Sequence, residues 1–214
     1  MIKRAFDLCA ASIGVLLLSP LLAAIALWIR LDSPGPVLFR QVRVGRHGVP
    51  FDILKFRTMA ARPPAQSQPE VQPGVAPNLQ PNLQRLLTVG RDPRITRAGH
   101  FLRKYKLDEL PQLFNVVQGT MSLVGPRPEV PRYVACYPPR ERELVLSVKP
   151  GVTDWASILY KDENAILGQA LDPERAYVET ILPTKLEYYV RYVRERTFWV
   201  DLRIIFHTLR AIAR

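Results

Sequence analysis

Residues Leu8–Ile29 read LCAASIGVLLLSPLLAAIALWI, a run of 22 residues without a charged side chain. Lys3 and Arg4 precede the run and Arg30 follows it. A helix needs roughly 20 apolar residues to cross a bilayer, so the run is long enough to be a membrane segment. Three interpretations fit these residues: a cleaved signal peptide, a spanning helix and a re-entrant hairpin.

The signal peptide is disfavoured because Trp28 and Ile29 prolong the run past the small residues at which cleavage would fall. The pair Ser19-Pro20 predicts a kink near the middle, since proline lacks the backbone N–H and clashes with the preceding turn. Each half of about 11 residues would be roughly 17 Å long, about half the hydrocarbon core. Basic residues on both flanks give no preferred direction of insertion. The residues alone leave a spanning helix and a re-entrant anchor over residues 1–31 both open.

The remaining residues, 32–214, have the composition of one folded domain. The chain has 214 residues, 48% of them hydrophobic, and 30 basic against 19 acidic side chains give a net charge of +11. The length allows one ordinary domain plus an anchor, and the charge indicates an anionic partner. The cysteines, Cys9 and Cys136, provide neither a disulfide framework nor a zinc spacing, which is typical of a protein facing a reducing compartment.

The pattern of apolar residues predicts an α+β fold that is mainly helical. Two strands, 37–44 and 49–56, are joined by a glycine-containing turn and predict a small β-hairpin. A Pro- and Gln-rich stretch at about 61–88 predicts a flexible loop without chemistry. Helices are expected over 97–106 and from about Asp108 to just before Gly119, followed by a short strand at 121–124. The tail, 184–214, is helical by pattern and amphipathic, which fits either core packing or an interfacial helix on anionic lipid.

The adjacent carboxylates Asp108 and Glu109 are the main candidates for chemistry. At the start of a helix they could serve simply as a cap, because unpaired N–H groups there favour anions. Their surroundings are strongly cationic, however, and guanidinium groups suit phosphate oxygens. Carboxylates among phosphate-binding residues indicate a Mg²⁺ and phosphoryl-transfer site. Neither a nucleotide-binding glycine motif nor a clustered set of histidines occurs in the sequence.

Several long motifs resemble the bacterial sugar transferase family of small monotopic phosphoglycosyl transferases. They are Lys55–Met59 (KFRTM), Asp92–Thr96 (DPRIT), Arg103–Val116 (RKYKLDELPQLFNV), Met121–Pro128 (MSLVGPRP) and Val148–Gly151 (VKPG). The likeness extends from about Lys3 to Trp155 and includes the proline-broken first segment. The last 60 or so residues match more weakly.

This resemblance implies an enzyme that transfers a sugar phosphate from a UDP-sugar to a polyprenyl phosphate such as undecaprenyl phosphate and releases UMP. Asp108 would be the nucleophile, forming a covalent phosphosugar intermediate, and would bind Mg²⁺, or Mn²⁺ in its place. Glu109 would share in metal binding and proton handling. Arg127 and Arg103 would bind phosphate, with Lys55 and Arg57 as weaker candidates.

The resemblance also implies location and architecture. Residues 1–31 would form a re-entrant helix-break-helix anchor with the break at Ser19 and Pro20, and residues 32–214 a catalytic domain on the cytosolic face of the bacterial inner membrane. The phospholipid bilayer is then a partner, and a homodimer is one candidate for the oligomeric state. The reaction would be the first membrane step of polysaccharide or glycoconjugate assembly.

The sequence departs from the family pattern at one place, and an alternative function stays open. Many family members have Gly-Trp-Ala-Gln where this chain has Asp154 to Ser157, which leaves the identity of the sugar open. The alternative function is a non-catalytic basic membrane adaptor that binds anionic lipid or RNA. No nucleic acid is expected as a partner, because aromatic residues do not alternate with the basic ones in an RNA-binding pattern.

Overall fold

The computed structural model describes residues 2–60, 92 and 94–212. The predicted loop at about 61–88 lies outside the described residues. Helix α1 (Ile2–Asp32) contains the apolar run. It is the one helix in the described part of the chain that is long and apolar enough to cross a membrane.

Helix α1 continues through the predicted break. Pro20 lies inside the helix, so the structure shows one helix at Ser19-Pro20 where two pieces were expected. A proline at position 20 leaves the carbonyl of Leu16 without its usual N–H donor. The hydroxyl of Ser19 donates to that carbonyl at 2.7 Å. This side-chain hydrogen bond replaces the missing backbone bond, which explains how the helix passes the proline.

The predicted hairpin is confirmed. Strands β1 (Leu38–Val44) and β2 (Pro50–Phe56) are antiparallel, with Leu38 opposite Phe56 and Val44 opposite Pro50. They are connected through a short 3₁₀ turn, Arg46–Gly48.

The two central helices are shorter than the sequence pattern indicates. Helix α2 (Arg97–Lys104) begins at the cap residue Thr96, whose hydroxyl accepts a hydrogen bond from the Gly99 amide at 3.0 Å. Helix α3 (Gln112–Gln118) begins after Pro111 and ends at Gly119, which has φ +89°. The expectation that this helix begins near Asp108 is therefore wrong. Lys106 adopts a left-handed conformation, φ 55°, and starts a separate 3₁₀ turn, Leu107–Glu109.

A second two-stranded sheet lies beside these helices. Strand β3 (Ser122–Val124) pairs in parallel with β4 (Gly151–Thr153). The predicted strand at 121–124 is thus confirmed, while its partner strand was not predicted. The backbones of Gly125 and Gly151 approach so closely that a Cβ on either one would overlap the other strand. This close approach fixes the path of the turn that follows β3.

The remaining elements are helical. They are α4 (Pro131–Ala135), α5 (Pro139–Leu146), α6 (Trp155–Leu159), α7 (Glu163–Leu167), α8 (Pro173–Ala176), a π-helical turn (Tyr177–Ile181), α9 (Leu182–Glu195) and α10 (Phe198–Ile212). The helical tail is confirmed as two helices, and the fold is mainly helical with small sheets, as predicted.

Helix α1 packs against the rest of the chain near both of its ends. Ala11 is buried with Val116 and Met121, and Ile25 and Ile29 are buried in another cluster with Phe56 and Leu102. The side chains on its other face are apolar and exposed, including Ile13, Leu16, Leu17 and Leu27.

Helix α10 also has two different faces. Ile204 is fully buried, whereas Trp199, Phe206 and Leu209 are exposed over 77%, 62% and 64% of their surfaces. Phe198 at its start contacts Phe6 of α1 edge to face, with ring centroids 5.2 Å apart. Core packing of the tail is confirmed by one face of this helix, and the exposed apolar side chains of the other face leave interfacial contact with lipid a prediction.

Candidate functional site

The 3₁₀ turn between α2 and α3 positions Asp108 and Glu109. The left-handed residue Lys106 turns the chain at the end of α2, and Pro111 then begins the approach to α3. Both carboxylates are thereby held in a short, sterically defined segment. Lys55 reaches this turn from β2, and Arg127 reaches it from the proline-containing turn after β3.

Glu109 is tied to two cations. Its Oε1 accepts a hydrogen bond from Lys55 Nζ at 2.9 Å, and its Oε2 accepts one from Arg127 Nη1 at 3.1 Å. The other terminal nitrogen of Arg127 donates to Oε1, so the guanidinium contact is bidentate. Burial alone would raise the pKa of Glu109, but Arg127 and Lys55 hold it well below its usual value. Glu109 is therefore an ionised residue that positions Arg127 and Lys55.

Asp108 differs from Glu109 in its hydrogen bonds and in the direction of its pKa shift. The residue is 8% exposed, and its Oδ1 is buried without a hydrogen-bond partner in the part of the chain that the structure describes. Burial, followed by repulsion from Glu109, raises its pKa, although Lys55, Arg103 and Lys106 act in the opposite direction. Asp108 does not lie at the N-terminus of an α-helix, because α3 begins four residues later.

The structure brings three of the four predicted cations to this pair. Lys55 and Arg127 bind Glu109 directly, as described above. Arg103, in the last turn of α2, is close enough for its charge to interact with those of Asp108 and Asp92, and burial lowers its pKa. These groups make a cationic environment for an anionic substrate.

Arg57 lies elsewhere. Its guanidinium donates to the carbonyl oxygens of Ser33 at 2.6 Å, Pro34 at 2.8 Å and Ile29 at 3.3 Å. These carbonyls stand at the end of α1, where helical N–H donors run out. Arg57 caps α1, and this position argues against the predicted contact with phosphate.

A buried network behind the turn that carries Arg127 was not predicted. Glu129 is 5% exposed and accepts a hydrogen bond from the Tyr177 hydroxyl at 2.6 Å. Arg43 donates to Glu129 at 3.4 Å and to the Pro128 carbonyl at 3.0 Å. The network links β1 and the π-helical turn to residues 128 and 129. The only sequence signal for it is that Glu129 closely follows Arg127.

The departure at Asp154 and Ser157 has a structural explanation. The Asp154 carboxylate caps α6, accepting hydrogen bonds from the Ser157 amide at 3.0 Å and the Ser157 hydroxyl at 2.7 Å. The two unusual residues therefore form one capping pair. Burial raises the pKa of Asp154, with Ser157 and the more distant Arg127 opposing that shift.

Asp108 is the residue of this pair that would hold a divalent ion. The buried, unpartnered Oδ1 of Asp108 fits Mg²⁺, which commonly uses one or two carboxylates together with substrate phosphate and water. Both oxygens of Glu109 are engaged by cations, which disfavours its predicted role as a second ligand. Within residues 2–60, 92 and 94–212, no group of three or more His, Cys, Asp or Glu side chains could hold a metal.

Comparison with known proteins adds independent information. The sequence profile described as "Bacterial sugar transferase" matches residues 1–214. The chain is 37% identical over 217 residues to UDP-glucose:undecaprenyl-phosphate glucose-1-phosphate transferase of Escherichia coli (strain K12), covering 98% of this chain and 39% of the relative.

Other relatives carry related names. An Aeromonas hydrophila UDP-N-acetylgalactosamine-undecaprenyl-phosphate N-acetylgalactosaminephosphotransferase is 36% identical, covering 99% of this chain and 43% of the relative. A Caulobacter vibrioides UDP-glucose:undecaprenyl-phosphate glucose-1-phosphate transferase is 35% identical, covering 98% of this chain and 69% of the relative. The chain thus spans well under half the length of the first two relatives. Two of these names specify glucose and one specifies N-acetylgalactosamine.

Proposed function

Because the chain belongs to the bacterial sugar transferase family, we propose that it transfers a sugar 1-phosphate from a UDP-sugar to undecaprenyl or another polyprenyl phosphate and releases UMP. The observation that carries this proposal is that the two neighbouring carboxylates have different contacts. Glu109 is bound by Lys55 and Arg127, whereas Asp108 keeps a buried oxygen without a partner. One carboxylate organises the cations and the other is available for a reaction.

We propose Asp108 as the nucleophile. One of its oxygens attacks the phosphorus that carries the sugar, the Asp108–phosphorus bond forms, and the bond from that phosphorus to UMP breaks. An oxygen of the lipid phosphate then attacks the same phosphorus, and the bond to Asp108 breaks. Arg127 and Arg103 neutralise charge on the transferring group, since preorganised cations stabilise the charge that develops. Glu109 holds Arg127 and Lys55 in place for both steps.

The proposed cofactor is Mg²⁺, or Mn²⁺ in its place, with Asp108 as the protein ligand. When bound, the ion would neutralise the diphosphate and favour the ionised form of Asp108. Asp108 itself holds the reactive oxygen, and Arg103 with Lys106 lowers the cost of its negative charge.

We also propose that α1 is re-entrant and that the body lies on the cytosolic face of the inner membrane, where the first membrane step of polysaccharide or glycoconjugate assembly takes place. The contacts at both ends of α1 support this. Lys3 pairs with Asp201 at 2.6 Å, and Arg4 donates to the carbonyl of Val116 at 2.6 Å. At the other end, Arg57 binds the Ser33 carbonyl. Attachment of both ends of α1 to the same body favours an anchor whose two ends lie on the same side of the bilayer.

The activity is tested by incubating detergent-purified protein with a panel of UDP-sugars, Mg²⁺ and polyprenyl phosphate while UMP release is followed. Asp108→Asn should abolish release. An intact-mass increase equal to one phosphosugar should appear after exposure to a donor without lipid, and it should map to residue 108. Activity in Asp108→Asn, or an adduct on another residue, would contradict the proposal.

The topology is tested separately with a membrane-impermeant maleimide. In a Cys9→Ser background, Ile2→Cys introduces a thiol near the start of α1, and the exposed Cys136 marks the body. We expect both thiols to be labelled from the cytosolic side only. Labelling of the two positions from opposite sides would identify a spanning helix instead.

A further inference from the structure

A cationic cavity lies at the opposite end of α3 from Asp108. Its volume is about 290 Å³, and it is lined by five basic side chains, Lys3, Arg4, Arg46, Lys149 and Arg196, together with the single acid Asp7. This volume is near the lower limit of ligand-binding pockets, about 300 Å³. Arg4 donates to the Val116 and Val117 carbonyls in the last turn of α3, while Asp108 precedes the first turn. The cavity is therefore separate from the carboxylate site.

The acid in this cavity is already committed to internal contacts. Asp7 accepts hydrogen bonds from the Ser122 hydroxyl at 2.7 Å and the Leu123 amide at 3.2 Å. Lys3 pairs with Asp201, outside the cavity lining. Within the described part of the chain, Arg4, Arg46, Lys149 and Arg196 have no carboxylate within ion-pair distance. The cavity thus carries excess positive charge.

Two of these cations converge on one point. Arg4 Nη2 and Lys149 Nζ lie 3.2 and 3.6 Å from the position that a Cβ on Gly119 would occupy. Burial, followed by the charges of Arg4 and Arg46, lowers the pKa of Lys149. Cations held together in this way are stabilised by an anion that contacts several of them.

The surroundings of the cavity indicate where such an anion would come from. Lys3 and Arg4 immediately precede the apolar part of α1, and Arg196 precedes the exposed aromatic residues Phe198 and Trp199 by two and three positions. Aromatic side chains next to basic ones are typical of the headgroup level of a membrane. The lining residues thus border both apolar surfaces, that of α1 and that of α10.

We propose that this cavity binds the phosphate of an anionic phospholipid headgroup. The site rests on the membrane association proposed above, and it holds the body at the bilayer surface without taking part in the reaction. A soluble phosphate ester offers the same oxygens, so the test must separate the two sources.

The first experiment measures partition of the full chain onto phosphatidylcholine vesicles with and without phosphatidylglycerol, at matched salt. Lys149→Gln with Arg196→Gln should reduce the preference for phosphatidylglycerol by roughly 10- to 30-fold, because each basic residue at an anionic surface contributes severalfold. The matched control is Arg140→Gln with Arg142→Gln, which removes the same charge from exposed residues outside the cavity. A substantially smaller loss of the phosphatidylglycerol preference in the control supports specific binding in the cavity. Equal losses in the two double variants would overturn it, because diffuse attraction would then be sufficient.

The second experiment measures the protection of one cavity residue, Lys149, directly. Acylation of Lys149, followed by mass spectrometry, should be slowed by vesicles that contain phosphatidylglycerol but not by pure phosphatidylcholine. Equal protection by both vesicles would overturn the proposal. So would protection by soluble glycerol phosphate in detergent without protection by anionic vesicles, which would assign the cavity to a soluble anion. Lys149→Arg with Arg196→Lys should retain the vesicle preference and excludes misfolding as the cause of its loss.

Failure of this proposal is distinguishable from failure of the proposed function. UMP release in detergent tests the reaction alone, and Lys149→Gln with Arg196→Gln should leave it unchanged. A wild-type protein that releases no UMP yet shows lipid-dependent protection of Lys149 would contradict only the proposed reaction.

Discussion

Neutralising the adjacent carboxylates at positions 108 and 109 should change the free energy of unfolding to very different extents. In Glu109→Gln, Lys55 and Arg127 lose the charge that pairs them. Removing one partner of a buried ion pair costs about 3–5 kcal/mol. The side chains of Glu109, Lys55 and Arg127 are 16%, 19% and 24% exposed, so residual solvation favours the lower end of that range. We expect a loss of about 3 kcal/mol.

Asp108→Asn should cost little or nothing. Burial and Glu109 raise the pKa of Asp108, so folding makes its charged form less favourable than in the unfolded chain. Asparagine resembles the neutral acid in size and removes the repulsion from Glu109. The free energy of unfolding should remain within about 1 kcal/mol of the wild type, or increase.

Thermal unfolding in detergent measures the difference. For a chain of this size, 1 kcal/mol corresponds to about 2–4 °C in Tm, so Glu109→Gln should lower Tm by about 6–12 °C. The control is Glu179→Gln, which breaks the exposed pair with Arg175 and should leave Tm almost unchanged. Both active-site variants should lose UMP release. The reasoning is refuted if Asp108→Asn loses as much stability as Glu109→Gln, or if Glu109→Gln behaves like Glu179→Gln.

Four further substitutions test other contacts in the structure. Arg127→Lys loses the bidentate contact with Glu109 and should reduce UMP release about 10- to 100-fold at saturating donor, a loss that kcat measures. Tyr192→Phe removes hydrogen bonds to Val124 and Asp201 and should cost about 1–3 kcal/mol in thermal unfolding. Tyr133→Phe should be neutral or stabilising, because its buried hydroxyl has no hydrogen-bond partner among the described residues. Burial raises the pKa of Tyr133 from 10.0 to about 12. Keeping this hydroxyl protonated therefore costs no stability below pH 10, but the protein loses stability as the pH rises from 10 toward 12. In alkaline unfolding, Tyr133→Phe should reduce that loss. Gly99→Ala would drive its Cβ into the Thr58 carbonyl and should cost about 1–3 kcal/mol or more in the same unfolding assay.

Local patterns were the part of this structure that the sequence predicted well. The hairpin follows from two runs with strand character joined by a short glycine-containing turn, and α1 follows from its uninterrupted apolar residues. The break at Ser19-Pro20 was overestimated because the Ser19 hydroxyl satisfies the carbonyl that proline leaves open. The start of α3 was placed too early, since an apolar spacing does not register the left-handed turn at Lys106.

Contacts between distant segments were harder to predict from the sequence. The motifs around Lys55, Asp108 and Arg127 carried the family resemblance, but nothing local showed that Lys55 and Arg127 both bind Glu109 and leave Asp108 unpaired. The parallel pairing of two three-residue strands also escaped prediction, because each is too short to show a periodicity. Arg57 was misassigned for a related reason, since the carbonyls it caps lie more than 20 residues earlier in the chain.

The end of β2 connects α1 to the two carboxylates. Lys55 and Arg57 are two residues apart at this end, and they bind Glu109 and the carbonyls that follow α1, respectively. Phe56 between them is buried with Ile25 and Ile29 of α1. A displacement of α1 relative to the body would therefore strain the same few residues that position Glu109. The proposed substrates differ in solubility, one dissolved and one embedded in lipid, so under the proposed function the carboxylate of Asp108 has to stay at a fixed depth relative to the bilayer. A short, buried connection between α1 and Glu109 supplies that constraint, and it gives Arg57 a role in the reaction that requires no contact with phosphate.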